Sequence, residues 1–368
     1  MIRVMIIDDS ALVRRIASDI LTEDPEITVV ATAAQAEFAL PKLDREKPDV
    51  ITMDMEMPGM GGLEAIRRIM ATRPTPIVVL SAYAQKGAEL TLQALDLGAV
   101  DFAQKPSASL SGGLTAIAQE LVEKVRNAAR IEFPQPSAPP PQAPVVAAPA
   151  PVVRAPARPP RPPLEYSGET DCELVAIGTS TGGPVALKTV LTMLPASLPV
   201  GVVVVQHMPP VFTKAFADRL NDCCEVEVKE AENGDAIRPG RVLIAPGAWH
   251  MTVTKFGGEP RVTLNQSPNV NGHRPSVDVL MHSVAMEYGS RAVGVIMTGM
   301  GRDGADGLKE LHHRGGHVIA QDRETSVIYG MNREVVQAGS ADEVVPVEEI
   351  AGRILEALRS RVVSRKGI

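Results

Sequence analysis

A proline-rich stretch divides this chain, and it constrains the fold more than any other feature. Between about Ile131 and Tyr166 proline recurs from Pro134 through Pro163, interleaved with alanine, valine and isolated arginines. Such a segment favours extended polyproline conformation and cannot build a packed core. It reads as a spacer; docking of a partner through Arg154, Arg158 and Arg161 is the alternative. The folded mass must then lie in two halves, and 368 residues suit two domains at about 100–200 residues each. The predicted boundaries are a domain over 1–125, a Pro/Ala-rich linker over 126–169 and a domain over 170–363.

In both halves apolar runs alternate with amphipathic stretches. The first half offers strands at Ile2–Ile7, Ile27–Ala31, Val50–Met53, Ile77–Leu80 and Val100–Ala103, with a helix over Ala11–Leu21 where Leu12, Ile16 and Ile20 recur at i, i+4, i+8. Continuous apolar strands between helices predict a doubly wound, five-stranded parallel α/β sheet. The second half repeats the pattern at Leu174–Ile177, Val200–Val205, Val226–Val228, Ala292–Met297, Val318–Ala320 and Val344–Val345. The region Arg241–Leu264 differs. There Val242–Ile244, Met251–Val253 and Val262–Leu264 flank turn signals at Pro246-Gly247 and Gly257-Gly258, which reads as an antiparallel hairpin insertion on a doubly wound α/β domain.

A net charge of −7 and a pI near 5.6 argue against a nucleic-acid binder. Three cysteines, two of them adjacent, make no disulfide framework. No apolar run approaches the ~20 residues of a membrane helix, and the short N-terminal run lacks a signal-peptide cleavage pattern. A cytoplasmic protein without membrane insertion is expected.

In open α/β sheets functional groups gather at the carboxyl ends of strands. In the first half those ends carry Asp8 and Asp9, Asp54, Ser81, and Lys105 just beyond the last strand. Three converging carboxylates repel unless a cation neutralises them, and hard oxygen ligands around an open site suit Mg²⁺. A hydroxyl and an ammonium opposite them complete a phosphoryl pocket, with Asp54 as the acceptor. Capping of the next helix by Asp8, Asp9 and Ser10 is the plainer alternative for those residues.

Taken together, Asp8-Asp9-Ser10, Met53-Asp54-Met55-Glu56-Met57-Pro58, Ser81-Ala82 and Lys105-Pro106 resemble a response-regulator receiver domain over residues 1–125. The resemblance implies phosphorylation of Asp54 by a histidine kinase. It implies Mg²⁺ held by Asp9, Asp54 and the backbone carbonyl of Glu56, with Asp8 helping through water. Phe102 falls at the family's aromatic switch position, and Gly61-Gly62 departs from the usual Asp-Gly.

In the second half Leu174–Ile177 leads into Gly178-Thr179-Ser180-Thr181-Gly182-Gly183-Pro184, a G-x-S-x-G turn between strand and helix. Such a turn exposes a nucleophilic serine beside helix N-terminal amides able to hold an oxyanion. A phosphate cradle and a plain tight turn are the other readings. Two further strand ends favour the nucleophile: His207 follows Val200–Val205 and Gln206, and Asp303 follows Ala292–Met297. Serine, base and orienting acid thus arrive at one sheet edge, as a triad requires. His250, His273, His282, His312, His313 and His317 do not follow core strands and read as surface or core residues; no Cys/His spacing suggests zinc.

The segments Ala176–Gly183, Gln206-His207-Met208, Arg274-Pro275-Ser276-Val277-Asp278, Thr298–Gly301 with Asp303-Gly304, and Tyr329-Gly330-Met331 resemble the catalytic domain of chemotaxis protein-glutamate methylesterases. That resemblance implies Ser180 as nucleophile, His207 as base and acid, Asp303 as orienting carboxylate, and the amides of Thr181 and Met300 as the oxyanion hole, with no catalytic cofactor. It implies methylated chemoreceptors as substrates, glutamine deamidation as a second activity, a chemotaxis histidine kinase as phosphodonor, and a receiver that covers the catalytic cleft until phosphorylated. Asn332 stands where proline is common, and Arg302 fills a variable position. The acidic net charge suggests in addition that a demethylated, more negative product helix is repelled.

Overall fold

A computed structural model describes residues 1–82, 84–106, 114–131, 133, 164–256 and 258–360. The predicted polyproline conformation of the linker falls on residues 134–163 and lies outside the described residues, as do Gly257 and the end of the second domain at 363.

The first unit alternates β1 (Ile2–Ile7), α1 (Ala11–Thr22), β2 (Ile27–Ala33), α2 (Ala36–Glu46), β3 (Val50–Asp54), α3 (Gly61–Thr72), β4 (Ile77–Ser81), α4 (Gln85–Asp96), β5 (Asp101–Gln104) and α5 (Leu114–Ala128). Its five strands are all parallel in the order β2-β1-β3-β4-β5. Every residue of β3 and β4 is buried, because helices cover both sheet faces. Ser10 caps α1, its Oγ accepting from the Val13 amide at 3.4 Å, so the capping reading of Ser10 holds. Helix α5 runs past residue 125, and Ile131 and Phe133 continue onto the core of this first unit.

The second unit contains β6 (Leu174–Thr179), α6 (Gly183–Leu191), β7 (Gly201–Gln206), α7 (Phe212–Asn221), β8 (Glu227–Glu230), β9 (Arg241–Ile244), β10 (His250–Phe256), β11 (Glu259–Asn265), α8 (Val277–Glu287), β12 (Ala292–Ile296), α9 (Ala305–His313), β13 (His317–Gln321), α10 (Met331–Gln337), β14 (Glu343–Val345) and α11 (Val347–Ser360). Seven parallel strands run in the order β14-β13-β12-β6-β7-β9-β8. The chain winds outward from β6 in both directions, which makes the ends of β6 and its neighbours the crevice where such sheets bind ligands.

One expectation needs correction. Val242–Ile244 does not belong to an antiparallel insertion; β9 is a parallel strand inside the main sheet, between β7 and β8. Its three apolar residues are all buried, as a strand covered on both faces requires. Only β10 and β11 form the antiparallel hairpin. Met251, Val253 and Val262 face inward there, and the Val253 amide donates to Ser283 Oγ of α8 at 3.0 Å.

The two units touch. Helix α4 packs against α6 and α7, Phe102 of β5 stacks on Phe212 of α7 at 4.4 Å between centroids, and Asp96 pairs with both Lys188 and Arg219. Among the described residues no helix is long and apolar enough to cross a membrane.

Candidate active site and phosphoacceptor site

Three adjacent strands deliver the three candidate catalytic residues. Ser180 leaves the end of central β6, His207 leaves β7 on one side, and Asp303 lies on the loop after β12 on the other. The Ser180 amide donates to Thr298 O at 3.0 Å, tying the turn to the β12 loop. Gly182 adopts φ +78° in this turn, the left-handed region that glycine occupies at no steric cost. Gly183 is demanded by space: a Cβ there would stand 2.1 Å from Gln206 Oε1. Gln206 in turn donates through Nε2 to the Ser180 and His207 carbonyls, at 2.9 and 3.0 Å.

His207 is held from one side only. Its Nε2 meets Asp303 Oδ2 at 2.7 Å, while its buried Nδ1 has no partner among the described residues. Ser180 and His207 line the same cavity, about 460 Å³ in volume, together with Thr181 and Met300. No hydrogen bond joins Ser180 to His207 there, a looseness common in active sites without substrate. The amides of Thr181 and Met300 donate no hydrogen bond among the described residues, so both remain available to an oxyanion.

Asp303 has five donors. Its Oδ1 accepts from Ser276 Oγ (2.7 Å), Asn271 Nδ2 (3.0 Å) and the Asp278 amide (3.2 Å); its Oδ2 accepts from His207 and from the Val277 amide (2.7 Å). The carboxylate therefore sits on the N-terminus of α8, where free amides and the helix dipole favour an anion. Burial works to raise its pKa, but the His207, Asn271 and Ser276 contacts outweigh burial and hold it well below the usual carboxylate range.

Sequence reasoning missed the shell around this pair. The His273 ring stacks on His207, with centroids 3.8 Å apart and planes within 13°. Burial first, then the neighbouring His207 charge, push His273 down to about 3, so it stacks as a neutral ring. His250 is buried; its Nδ1 accepts from the Ser276 amide at 3.2 Å, bracing the residue that braces Asp303. The one available signal was the segment Arg274–Asp278, noted without a role for its serine. Asn332 binds back through Nδ2 to Gln321 O and Ser326 Oγ, at 2.9 and 2.8 Å, anchoring the start of α10.

In the first unit, carboxylate oxygens of Asp8, Asp9 and Asp54 lie within 4.8 Å of one another. Lys105 Nζ reaches Asp54 Oδ2 at 2.7 Å and Asp8 Oδ2 at 3.0 Å. Burial would lower the Lys105 pKa, yet its two carboxylate partners raise it. Burial is also the main cause that raises Asp8. Glu56 donates its amide to Asp54 Oδ1 at 3.1 Å, and Ser81 Oγ accepts from Thr91 Oγ1 at 3.0 Å.

Residues 175–354 match the family model described as CheB methylesterase, and residues 4–112 match the response regulator receiver domain. The protein-glutamate methylesterase/protein-glutamine glutaminase 3 of Burkholderia lata is 44% identical over 357 residues, 97% of this chain and 96% of that one. The chain belongs to the CheB methylesterase family. A Symbiobacterium thermophilum relative, named protein-glutamate methylesterase/protein-glutamine glutaminase, is 46% identical over 97% of both chains. The solved catalytic domain of Thermotoga maritima CheB methylesterase aligns at TM-score 0.50 and 43% identity, covering 50% of this chain and 98% of that domain. As a CheB-family chain it joins a receiver and a methylesterase domain, in the order the two motif resemblances implied.

Proposed function

We propose that this chain is a phosphorylation-regulated serine hydrolase that demethylates γ-glutamyl methyl esters on chemoreceptors, releasing methanol, and deamidates receptor glutamines. The observation that carries the reading is His207: Asp303 fixes one ring nitrogen, the other has no partner among the described residues, and the residue lines one cavity with Ser180.

Ser180 attacks the ester carbonyl while His207 Nδ1 accepts the hydroxyl proton. Negative charge on the carbonyl oxygen falls to the Thr181 and Met300 amides, each donor of this kind being worth roughly 3–4 kcal/mol. His207 returns the proton to the departing methoxide, and methanol leaves a glutamyl-enzyme. Water, deprotonated by the same nitrogen, then releases the glutamate. Asp303 orients the ring and offsets its transient positive charge. Ammonia replaces methanol when the substrate is glutamine.

Asp54 is proposed as the phosphoacceptor, fed by a chemotaxis histidine kinase. The all-oxygen donor set fits Mg²⁺: Asp8 Oδ2 is buried, and Lys105 at 3.0 Å is its one partner among the described residues. Asp9, Asp54 and the Glu56 carbonyl would hold the ion, which when bound neutralises charge on the incoming phosphoryl group. Lys105 and Ser81 would grip the phosphoryl oxygens. Regulation fits the contact between units, since receiver helix α5 lines the Ser180 cavity and Asp101 accepts from Thr181 Oγ1. Phosphorylation then shifts a packed arrangement towards an open one.

The test is methanol release from methylated receptor, with and without acetyl phosphate. Parent protein releases methanol and is stimulated; Ser180→Ala, with an unchanged melting curve, releases none. Full turnover by the alanine variant sinks the serine mechanism.

A further inference from the structure

Beside the proposed oxyanion site lies a second cleft, about 540 Å³, whose lining, Met300 apart, the ester chemistry does not require. Four arginines line it: Arg130 from the receiver side, and Arg302, Arg323 and Arg333 from the catalytic domain. Met300 belongs to both this cleft and the Ser180 cavity. Arg302 is shared with Asp306 at 2.9 Å and Arg333 with Glu334 at 2.8 Å. Arg130 and Arg323 form no ion pair among the described residues. A chain of net charge −7 nonetheless presents an excess of positive charge along this cleft.

Guanidinium groups match carboxylates in shape as well as charge, and a cleft concentrates their field. On a helix, residues three or four positions apart share a face with Cβ atoms about 5–6 Å apart. A glutamyl ester entering the Ser180 cavity from a helix thus carries its i±3 and i±4 neighbours alongside. The helix that lines that cavity in this structure presents Gln119, Glu120, Glu123, Lys124 and Asn127 there, two carboxylates against one ammonium.

We propose that Arg302, Arg323 and Arg333 form a docking subsite for carboxylates flanking the scissile residue on an acidic substrate helix. This rests on the esterase reading above and adds a rule of selection to it. It also reverses the expectation from net charge. Each hydrolysed ester becomes a carboxylate, so a site already processed one turn away anchors the helix for the next turnover instead of repelling it.

The full chain, stimulated with acetyl phosphate, is assayed on synthetic helical peptides with one glutamyl γ-methyl ester and glutamate, alanine or lysine at i±4. Parent protein prefers glutamate over lysine flanks by about five- to tenfold in kcat/KM, as a rim charge pair allows. The difference lies mainly in KM and shrinks with salt. Arg323→Glu inverts the order so that lysine flanks become best, and Arg333→Glu, on a different element, moves it the same way. Both side chains are exposed, so the fold should tolerate either change. Indifference of the parent to flanking charge, or an equal loss on all three peptides in both variants, overturns the subsite. A parent protein that hydrolyses no peptide ester at all overturns the esterase reading, and the subsite with it.

Discussion

Replacing Asp303 by asparagine probes the site at its most constrained atom. The two oxygens are not equivalent: Oδ1 faces three donors, and Oδ2 faces His207 and the Val277 amide. An asparagine NH₂ is least opposed at the Oδ2 position, where it must donate to His207 Nε2. The imidazole proton then moves to Nδ1, the nitrogen assigned to take the proton of Ser180. Base catalysis is lost through the wrong tautomer, a change that lowers kcat about 10⁴-fold in Ser-His-Asp hydrolases. The Val277 amide meanwhile faces another donor, and a buried unsatisfied N–H costs about 1–3 kcal/mol. Methanol release from methylated receptor measures the first effect, and thermal melting measures the second. Turnover within tenfold of the parent, in a variant that still melts cooperatively, would refute the assignment of Nδ1 as the base.

Three other changes address regulation and stability. Asp54→Asn removes the proposed phosphoacceptor oxygen beside Lys105; acetyl phosphate should no longer stimulate methanol release, while basal turnover persists. Simultaneous loss of both activities would contradict gating. Asp96→Lys turns two attractions between units, to Lys188 and Arg219, into repulsions. Exposed pairs are worth about 0.2–1 kcal/mol each, so basal turnover should rise roughly three- to tenfold, and an unchanged basal rate counts against a covering receiver. Glu227→Gln tests acid stability: the Arg241 hydrogen bond, helped by Arg238, lowers Glu227 from 4.5 to about 2. A depressed carboxylate stabilises the fold above its unfolded pKa and ceases to as pH falls through the folded one. The variant should therefore melt below the parent at neutral pH, with the gap closing between pH 4.5 and 2.

Much of this was legible because strand ends are legible. A buried parallel strand is a short apolar run, and the residue after it stands at the edge where chemistry gathers. That logic placed Asp8, Asp9, Asp54, Ser81, Lys105, Ser180, His207 and Asp303 on two sheet edges without knowledge of strand order. Strand order itself was not legible for β9. Val242–Ile244 is as apolar as any core strand, yet it lies next to a true hairpin, and turn signals on both sides do not reveal which partner a strand takes. His273, Asn271 and Ser276 escaped for a related reason. They come from the loop between β11 and α8, and only tertiary packing lays that loop over Asp303. A histidine in a Gly-rich loop looks alike whether it faces water or stacks on a base.

The choice of ring nitrogen shows where sequence order stops informing. Ser, His and Asp on β6, β7 and β12 specify which residues meet, but either imidazole nitrogen could face the acid. The choice follows from α8. Its first amides and Ser276 fix the Asp303 carboxylate on one side of the ring, and Nε2 is the nitrogen that reaches it. A comparable economy links the two edges. Strand β5 begins at Asp101, which accepts from Thr181 beside the proposed nucleophile, and the chain reaches Lys105, bound to Asp54, four residues later. At about 3.3 Å per residue those points are roughly 13 Å apart along one strand. Chemistry at Asp54 that moves Lys105 therefore acts on the strand that touches the hydrolytic turn, and Phe102 lies between them, stacked on Phe212 of the catalytic domain.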